Sequence, residues 1–262
     1  MHHRAKLWMS GLALLLMAGV LALTTTGCGP AEDKVFVWCA AGMRPPIKEL
    51  AEEFEETHGI PIELTYGGSE LLLGQIELHK RGDVYIAGDA DYIDMADERG
   101  FVSTRRTLCY FVPVILVQEG NPKGITGFDD LLQPRMKLGQ GDPKAAAIGR
   151  LMPTILELND VDPDAWRDNV EQMTPTVNEL AIHVQLGNLD AAIVWDSIAR
   201  QYEDYSDIID ISPDRNVTPI VEGAVLTFSN MPDEAQAFLD FLASDRGKEV
   251  LAKHGYTVED PR

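Results

Sequence analysis

The chain has 262 residues and an acidic balance, with 42 Asp and Glu against 22 Lys and Arg and a formal net charge of −20. Such acidity argues against a nucleic-acid partner, which needs a basic stripe. It leaves room for a small anionic ligand, because a buried site is governed by local dipoles rather than by distant, screened charge.

The first residues, Met1-His2-His3-Arg4-Ala5-Lys6, are basic, and an apolar run over residues 12–23 precedes Thr24-Thr25-Thr26-Gly27-Cys28. This describes a secretory signal rather than a spanning helix, which needs about 20 apolar residues. Small residues directly before a cysteine resemble the bacterial lipoprotein cleavage box. That resemblance implies removal of residues 1–27 and a lipid anchor on Cys28, with residues 28–34 as a polar tether. Leu23 stands one place further out than the usual leucine of that box; the alternative is an ordinary signal that happens to contain a cysteine. Cleavage removes Arg4 and Lys6 and no acid, leaving 20 basic and 42 acidic residues, a charge of −22. The remaining chain, about 235 residues, can bury the core of one large domain or two small ones.

Val35-Phe36-Val37-Trp38-Cys39 reads as a buried strand. Pro45 and Pro46 then open a helix with Ile47, Leu50, Ala51 and Phe54 on one face, and Gly59 stops it. Residues 60–66 form a second strand, 71–79 a helix, 84–87 a third strand and 91–99 a helix ended by Gly100. Residues 108–118 read as one longer apolar strand, a candidate crossing between lobes. The theme restarts with 137–139 leading into a helix from Asp142. Segments 166–170 and 179–186 follow, then a strand over 191–195, a returning strand over 217–228 and a last helix over 233–243. Alternating strands and helices indicate an α/β fold with a largely parallel sheet. Two lobes with at least two crossings place a ligand cleft at the carboxyl ends of the strands. Cys39 and Cys109 each sit in an apolar run; in an exported protein they either pair or stay as buried thiols.

Four turns join strand to helix through small residues: Ala40-Ala41-Gly42-Met43-Arg44, Gly67-Gly68-Ser69, Gly141-Asp142-Pro143-Lys144-Ala145-Ala146-Ala147-Ile148, and Thr176-Val177-Asn178-Glu179. The first N–H groups of a helix have no internal partner, and the macrodipole adds about half a positive charge there. Small residues let an anion approach closely. Asp142 reads as an N-cap with Pro143 at N1, and Thr176 to Glu179 has the capping-box spacing. Each turn alone is an ordinary helix start.

In order, these turns resemble the periplasmic molybdate/tungstate-binding proteins of ABC transporters. The resemblance runs from Val35 to Tyr256 and includes Tyr66-Gly67-Gly68-Ser69 with Gln75-Ile76, Asp83-Val84-Tyr85-Ile86-Ala87 with Asp89, Gly141-Asp142-Pro143 with Gly149, and Asp190-Ala191-Ala192-Ile193-Val194-Trp195. It implies a two-lobed type II periplasmic-binding fold, each lobe a mainly parallel sheet flanked by helices. The implied lobes are residues 35–112 with 219–262, and residues 113–218. It implies a dehydrated molybdate or tungstate held by neutral donors, an ABC permease as partner, no cofactor, no enzymatic activity and a monomer. The location would be the periplasm or the outer face of the cell membrane.

The resemblance places Gly42, Gly68, Ser69, Ile148, Val177 and Trp195 at the ligand, and the full candidate set is Ala41, Gly42, Met43, Arg44, Gly68, Ser69, Ala147, Ile148, Val177, Asn178 and Trp195. Gly42 falls where the family usually has a serine and Trp195 where it has a tyrosine. Gly42 therefore offers only backbone donors, while Trp195 still offers an indole N–H. Pro45 and Pro46 remove two N–H groups nearby. Arg44 and Lys144 are candidate counter-charges, whereas Glu70 and Asp196 would repel a dianion unless they turn away. The alternative within this fold is a different anion, a metal ion or an organic cation, the last two held by Glu70, Asp196, Tyr66 and Trp195, although no close-spaced His, Cys or carboxylate cluster marks a metal site. A lipid-anchored hydrolase is a further alternative. It lacks support from any Gly-x-Ser-x-Gly or His-Glu-x-x-His motif, and His58, His79, His183 and His254 are scattered.

Overall fold

The computed structural model describes residues 34–261. The expected leader, the anchor Cys28 and residues 28–33 of the expected tether lie outside the described residues. Among the described residues no helix is long and apolar enough to cross a membrane.

Strand Val35–Ala40 (β1) is buried at five of its six positions, as a strand covered on both faces must be. It pairs in parallel with Ile62–Gly67 (β2) on one side and Val84–Ala87 (β3) on the other. Helix Arg44–His58 (α1) joins β1 to β2 and buries Ile47, Leu50, Ala51 and Phe54. Its prolines sit in the first turn, where a missing N–H breaks no helical bond. Gly59, at φ 68, ends it in the left-handed conformation that only glycine adopts freely. Helix Ser69–His79 (α2) joins β2 to β3, and Ala90–Glu98 (α3) follows β3.

Strands Val102–Tyr110 (β4) and Pro113–Gln118 (β5) belong to different sheets. The single strand expected over residues 108–118 is thus broken at 111–112. Pro113 restricts the backbone before it and removes a ladder donor. The second sheet adds Leu138–Gly141 (β6), Val170–Thr174 (β7), Ala191–Trp195 (β8) and Ser206–Asp210 (β9). Its helices are Phe128–Leu131 (α4), Ala147–Leu158 (α5), Pro163–Asn169 (α6), Val177–Gln185 (α7) and Asp196–Ala199 (α8). The chain then returns to the first sheet with Ile220–Leu226 (β10) and closes with helices Pro232–Leu242 (α9) and Asp245–Lys253 (α10).

The sheets run β2-β1-β3-β10-β4 and β7-β6-β8-β5-β9. One plan is used twice: three parallel strands, an antiparallel strand arriving from the other half, and an edge strand antiparallel to that one. The two-lobed α/β expectation holds, with each sheet mixed rather than mainly parallel. The parallel strands end at the cleft, so a strand that crosses over begins there and must run the opposite way: Pro113 of β5 pairs with Trp195, the last residue of β8.

Two local expectations change, and the alternative left open for the cysteines is decided. Asp142 starts no helix, since its carbonyl accepts from the Ala145 and Ala146 N–H groups and its Oδ1 accepts from the Lys144 N–H at 2.8 Å. That side-chain turn competes with helix, which begins only at Ala147. Strands β7 and β9 and helix α10 escaped the apolar pattern because β7 and β9 are edge strands with partly exposed faces. Cys39 and Cys109 are both free and buried. They lie on β1 and β4 with β3 and β10 between them. Three strand spacings are about 14 Å, twice the reach of a disulfide. Burial pushes both thiols well above their ordinary pKa.

Candidate functional site

The turns at the carboxyl ends of the parallel strands meet between the two sheets. A small cavity of about 30 Å³ is lined on one side by Ala40, Ala41, Gly42, Gly67, Gly68, Ser69 and Gly88. On the other side stand Ala147, Thr176, Val177 and Trp195, with Phe111 from the crossing segment. Space of that size holds a group of one or two water volumes.

Helix starts dominate its wall. Gly68, Ala146 and Thr176 are the N-caps of α2, α5 and α7, and none uses its side chain to cap. The capping box expected at Thr176 does not close: its hydroxyl donates to Glu179 Oε1 at 2.9 Å and leaves the helical N–H groups alone. Trp195 at the head of α8 and Ala40 before the short 3-10 turn Ala41–Met43 are likewise without a side-chain cap. Each such terminus keeps first-turn N–H groups without intrahelical partners.

Ser69 is 3% exposed. Its Oγ accepts from the Gly88 N–H at 3.0 Å and its carbonyl accepts from Tyr85 Oη at 2.8 Å. The hydroxyl proton is thereby left to donate into the cavity. Trp195 stacks on Phe111 with ring centroids 4.6 Å apart and planes 6° from parallel. Its Nε1 makes no hydrogen bond among the described residues. A Cβ at Gly42 would stand 3.2 Å from Phe111 Cζ, 3.4 Å from Trp195 Cδ1 and 3.7 Å from Trp195 Nε1. The aromatic pair therefore fills the room that a side chain at 42 would need, and the indole N–H stands beside it. Tyr256 Oη donates to the Gly42 carbonyl, which turns that acceptor to its own side.

Gly68 shows how closely the halves approach. A Cβ there would lie 2.1 Å from the Ala145 carbonyl oxygen and 2.6 Å from that of Pro175. Its φ of −69 suits any residue, so the demand is for space alone.

No charged side chain lines the cavity. Asp196 is turned to the crossing segment, where Oδ1 accepts from the Val112 N–H at 3.3 Å, and burial raises its carboxyl pKa. Glu70 lies outside the lining. Arg44, a candidate grip for an anion, is exposed and places its guanidinium 4.0 Å above the Tyr66 ring; Lys144 is exposed. Among the described residues no group of three or more His, Cys, Asp or Glu could hold a metal ion.

Seven of the eleven sequence-derived candidates line the cavity: Ala41, Gly42, Gly68, Ser69, Ala147, Val177 and Trp195. Met43, Arg44, Ile148 and Asn178 adjoin it in the chain without lining it. Met43 is buried against Cys109, 3.9 Å from sulfur to sulfur, Ile148 packs in the core, and Asn178 Oδ1 is buried without a partner. Gly88 and Phe111 were missed. Gly88 had a usable signal, a glycine between a buried strand and the capping Asp89; Phe111 had none, since its place depends on the break in the 108–118 run.

A model of the family described as bacterial extracellular solute-binding protein matches residues 35–257. The chain belongs to that family. A binding protein of Haemophilus influenzae is 28% identical to this solute-binding protein over 241 residues, covering 92% of this chain and 97% of the relative. The molybdate-binding protein ModA of Mycobacterium tuberculosis is 23% identical over 255 residues, covering 92% and 94%. Among solved structures, the sulfate-binding protein SubI of the same organism superposes with a TM-score of 0.78 at 19% identity, covering 87% of this chain and 88% of that one. The two mixed-sheet lobes of this protein are thus those of a periplasmic binding fold.

Proposed function

We propose that this protein captures a small tetrahedral oxyanion, molybdate or tungstate, between its two lobes and delivers it to an ABC permease. The observation that carries the reading is a cavity walled by uncapped helix starts and neutral donors from both halves, with no charged side chain. The donors are the Ser69 hydroxyl, the Trp195 indole N–H and the first-turn N–H groups at Gly42, Ala147 and Val177, with those of Met43, Ile148 and Asn178 next in line. Each charge-assisted bond contributes about 1.5–3 kcal/mol, and helix termini add their dipoles.

The same wall argues against other ligands. A cation would meet donors and positive dipole ends without a carboxylate. A monoprotonated phosphate would find no carboxylate acceptor for its O–H, because Asp196 and Glu70 stand outside the lining. Sulfate is the second reading, favoured by the likeness to SubI. Catalysis has no support in the wall: its hydroxyl side chains are Ser69 and Thr176, and no histidine stands with them in the lining.

In this reading residues 35–112 with 219–262 form one lobe and 113–218 the other, hinged where the chain crosses at 111–112 and 211–219. Ligand stabilises the closed form by bonding donors from both lobes, and the permease reads that form. The protein acts as a monomer held at the membrane by lipid on Cys28. Isothermal titration of the chain from residue 29 with molybdate, tungstate, sulfate and phosphate tests the assignment. Submicromolar binding of molybdate and tungstate, with sulfate much weaker, is expected. Tighter sulfate than molybdate would transfer the assignment to sulfate, and no heat with any of the four would reject the oxyanion reading.

A further inference from the structure

Arg150 reaches from one half of the molecule to the other. It lies on α5, three residues past Ala147, whose helix start lines the cavity. Its Nη2 donates to Asp89 Oδ2 at 2.9 Å and to Asp91 Oδ2 at 2.5 Å, both carried by the opposite half at the start of α3. The guanidinium carbon also stands 5.0 Å from the centroid of the Tyr92 ring. Asp89 is held from its own side as well, since its Oδ1 caps α3 by accepting from the Asp91 N–H at 3.1 Å. The Asp89 side chain is 7% exposed, against 34% for Arg150 and 58% for Asp91.

The position of this cluster gives it meaning. Asp89 follows Gly88, whose N–H is fixed by Ser69 Oγ. Covalent and hydrogen bonds therefore run from Ser69 through Gly88 and Asp89 to Arg150, and from there down one helical turn to Ala147. That path joins a donor of the first half to a donor of the second without passing through the ligand. Other arginines, Arg105, Arg106, Arg215 and Arg246, pair with carboxylates of their own half.

We propose that Arg150 is a positioning residue, an interlobe clamp that registers the helix start at Ala147 against Ser69 and Gly88 and holds the lobes together before ligand arrives. An arginine with two carboxylates beside an aromatic face is stronger when partly desolvated, so closure strengthens the clamp and the clamp favours closure. A binding-competent state populated in the free protein raises apparent affinity in proportion to that population. Removing the guanidinium leaves the buried Asp89 carboxylate with no cation and only the Asp91 N–H as partner, which favours the open form where water reaches it.

The affinity arm of the test rests on the oxyanion reading, and the ligand-free arm does not. Small-angle scattering of the ligand-free protein is compared for the wild type, Arg150→Gln, Arg150→Lys and Asp91→Asn, at low and at high salt. Arg150→Gln is expected to expand the ligand-free protein and Asp91→Asn to expand it less. Arg150→Lys should restore part of the compactness, and salt should expand the wild type more than Arg150→Gln. Titration with molybdate should weaken about tenfold in Arg150→Gln. Should Arg150→Gln fail to fold, Asp91→Asn decides, because its carboxylate is exposed. Unchanged ligand-free profiles in the folded variants overturn the clamp. A wild type that binds no molybdate while Arg150→Gln still expands rejects the ligand assignment and leaves the clamp standing.

Discussion

Three helix starts that line the cleft differ from two that lie away from it. On the outer surface, Asp162 accepts from the Asp164 N–H at 2.9 Å at the head of α6, and Ser244 accepts from the Gly247 N–H at 3.2 Å at the head of α10. At the cleft, α2, α5 and α7 begin at Gly68, Ala146 and Thr176 without a side-chain cap. Thr176 is the instructive case, because a residue able to cap spends its hydroxyl on Glu179 instead. These two helices, α6 and α10, close their own termini for stability, worth about 1 kcal/mol each. The cleft helices forgo that gain and keep donors open, as a site that needs its bonds for a ligand would.

The largest effect should come from bringing bulk into the cleft. Gly68→Ala sets a methyl against two backbone carbonyl oxygens that no rotamer change can move, at 2.1 and 2.6 Å. It should hold the lobes apart and weaken molybdate by about 100-fold, given ~1–3 kcal/mol for overpacking. Titration and a more open scattering profile with ligand present would register it; unaltered affinity would mean that the halves part more readily than this packing allows. Ser69→Ala removes a donor and orphans the Gly88 N–H, and roughly 30-fold weaker binding is expected, on ~2 kcal/mol for a bond to a charged group. An affinity equal to wild type would take Ser69 out of the contact set.

The outer caps should behave in the opposite sense. Ser244→Ala should lower unfolding stability by about 1 kcal/mol in urea and leave molybdate affinity where it was. A change in affinity there would erase the distinction between the two kinds of helix start. The smallest effect concerns acid. Hydrogen bonds from Lys253 and then His254 hold the Glu49 carboxyl below its ordinary pKa. A depressed folded pKa contributes stability that is present above the unfolded value near 4.5 and is lost as pH falls through the folded one. Glu49→Gln should therefore lower the melting temperature slightly at pH 7, as an exposed pair allows, and converge on the wild type well below about pH 4.5, which shallows the acid fall.

Much of this frame was legible in the residues. Buried strands at Val84–Ala87 and Ala191–Trp195 were bounded correctly because a short apolar run flanked by turn residues has few other solutions. The four turns were found because small residues at strand ends followed by helical periodicity are a local signal. The helix expected from Asp142 failed for a local reason too, since an aspartate can bond its own following backbone and that competition does not show in apolar periodicity.

By itself the sequence determined the alternation of elements, the apolar faces and the composition of the turns, since propensity, periodicity and glycine placement act over a few neighbouring residues. Only the tertiary structure decided that residues 108–118 divide between two sheets, and that each sheet takes an antiparallel strand from the other half. It alone put Phe111 and Trp195 in the space beside Gly42 and removed Arg44 to Tyr66. Arg150 and Asp89 are 61 residues apart in the chain, and no local pattern in either segment points to the other. Such contacts follow from how two lobes close on each other, and closure is a property of surfaces that sequence neighbours do not share.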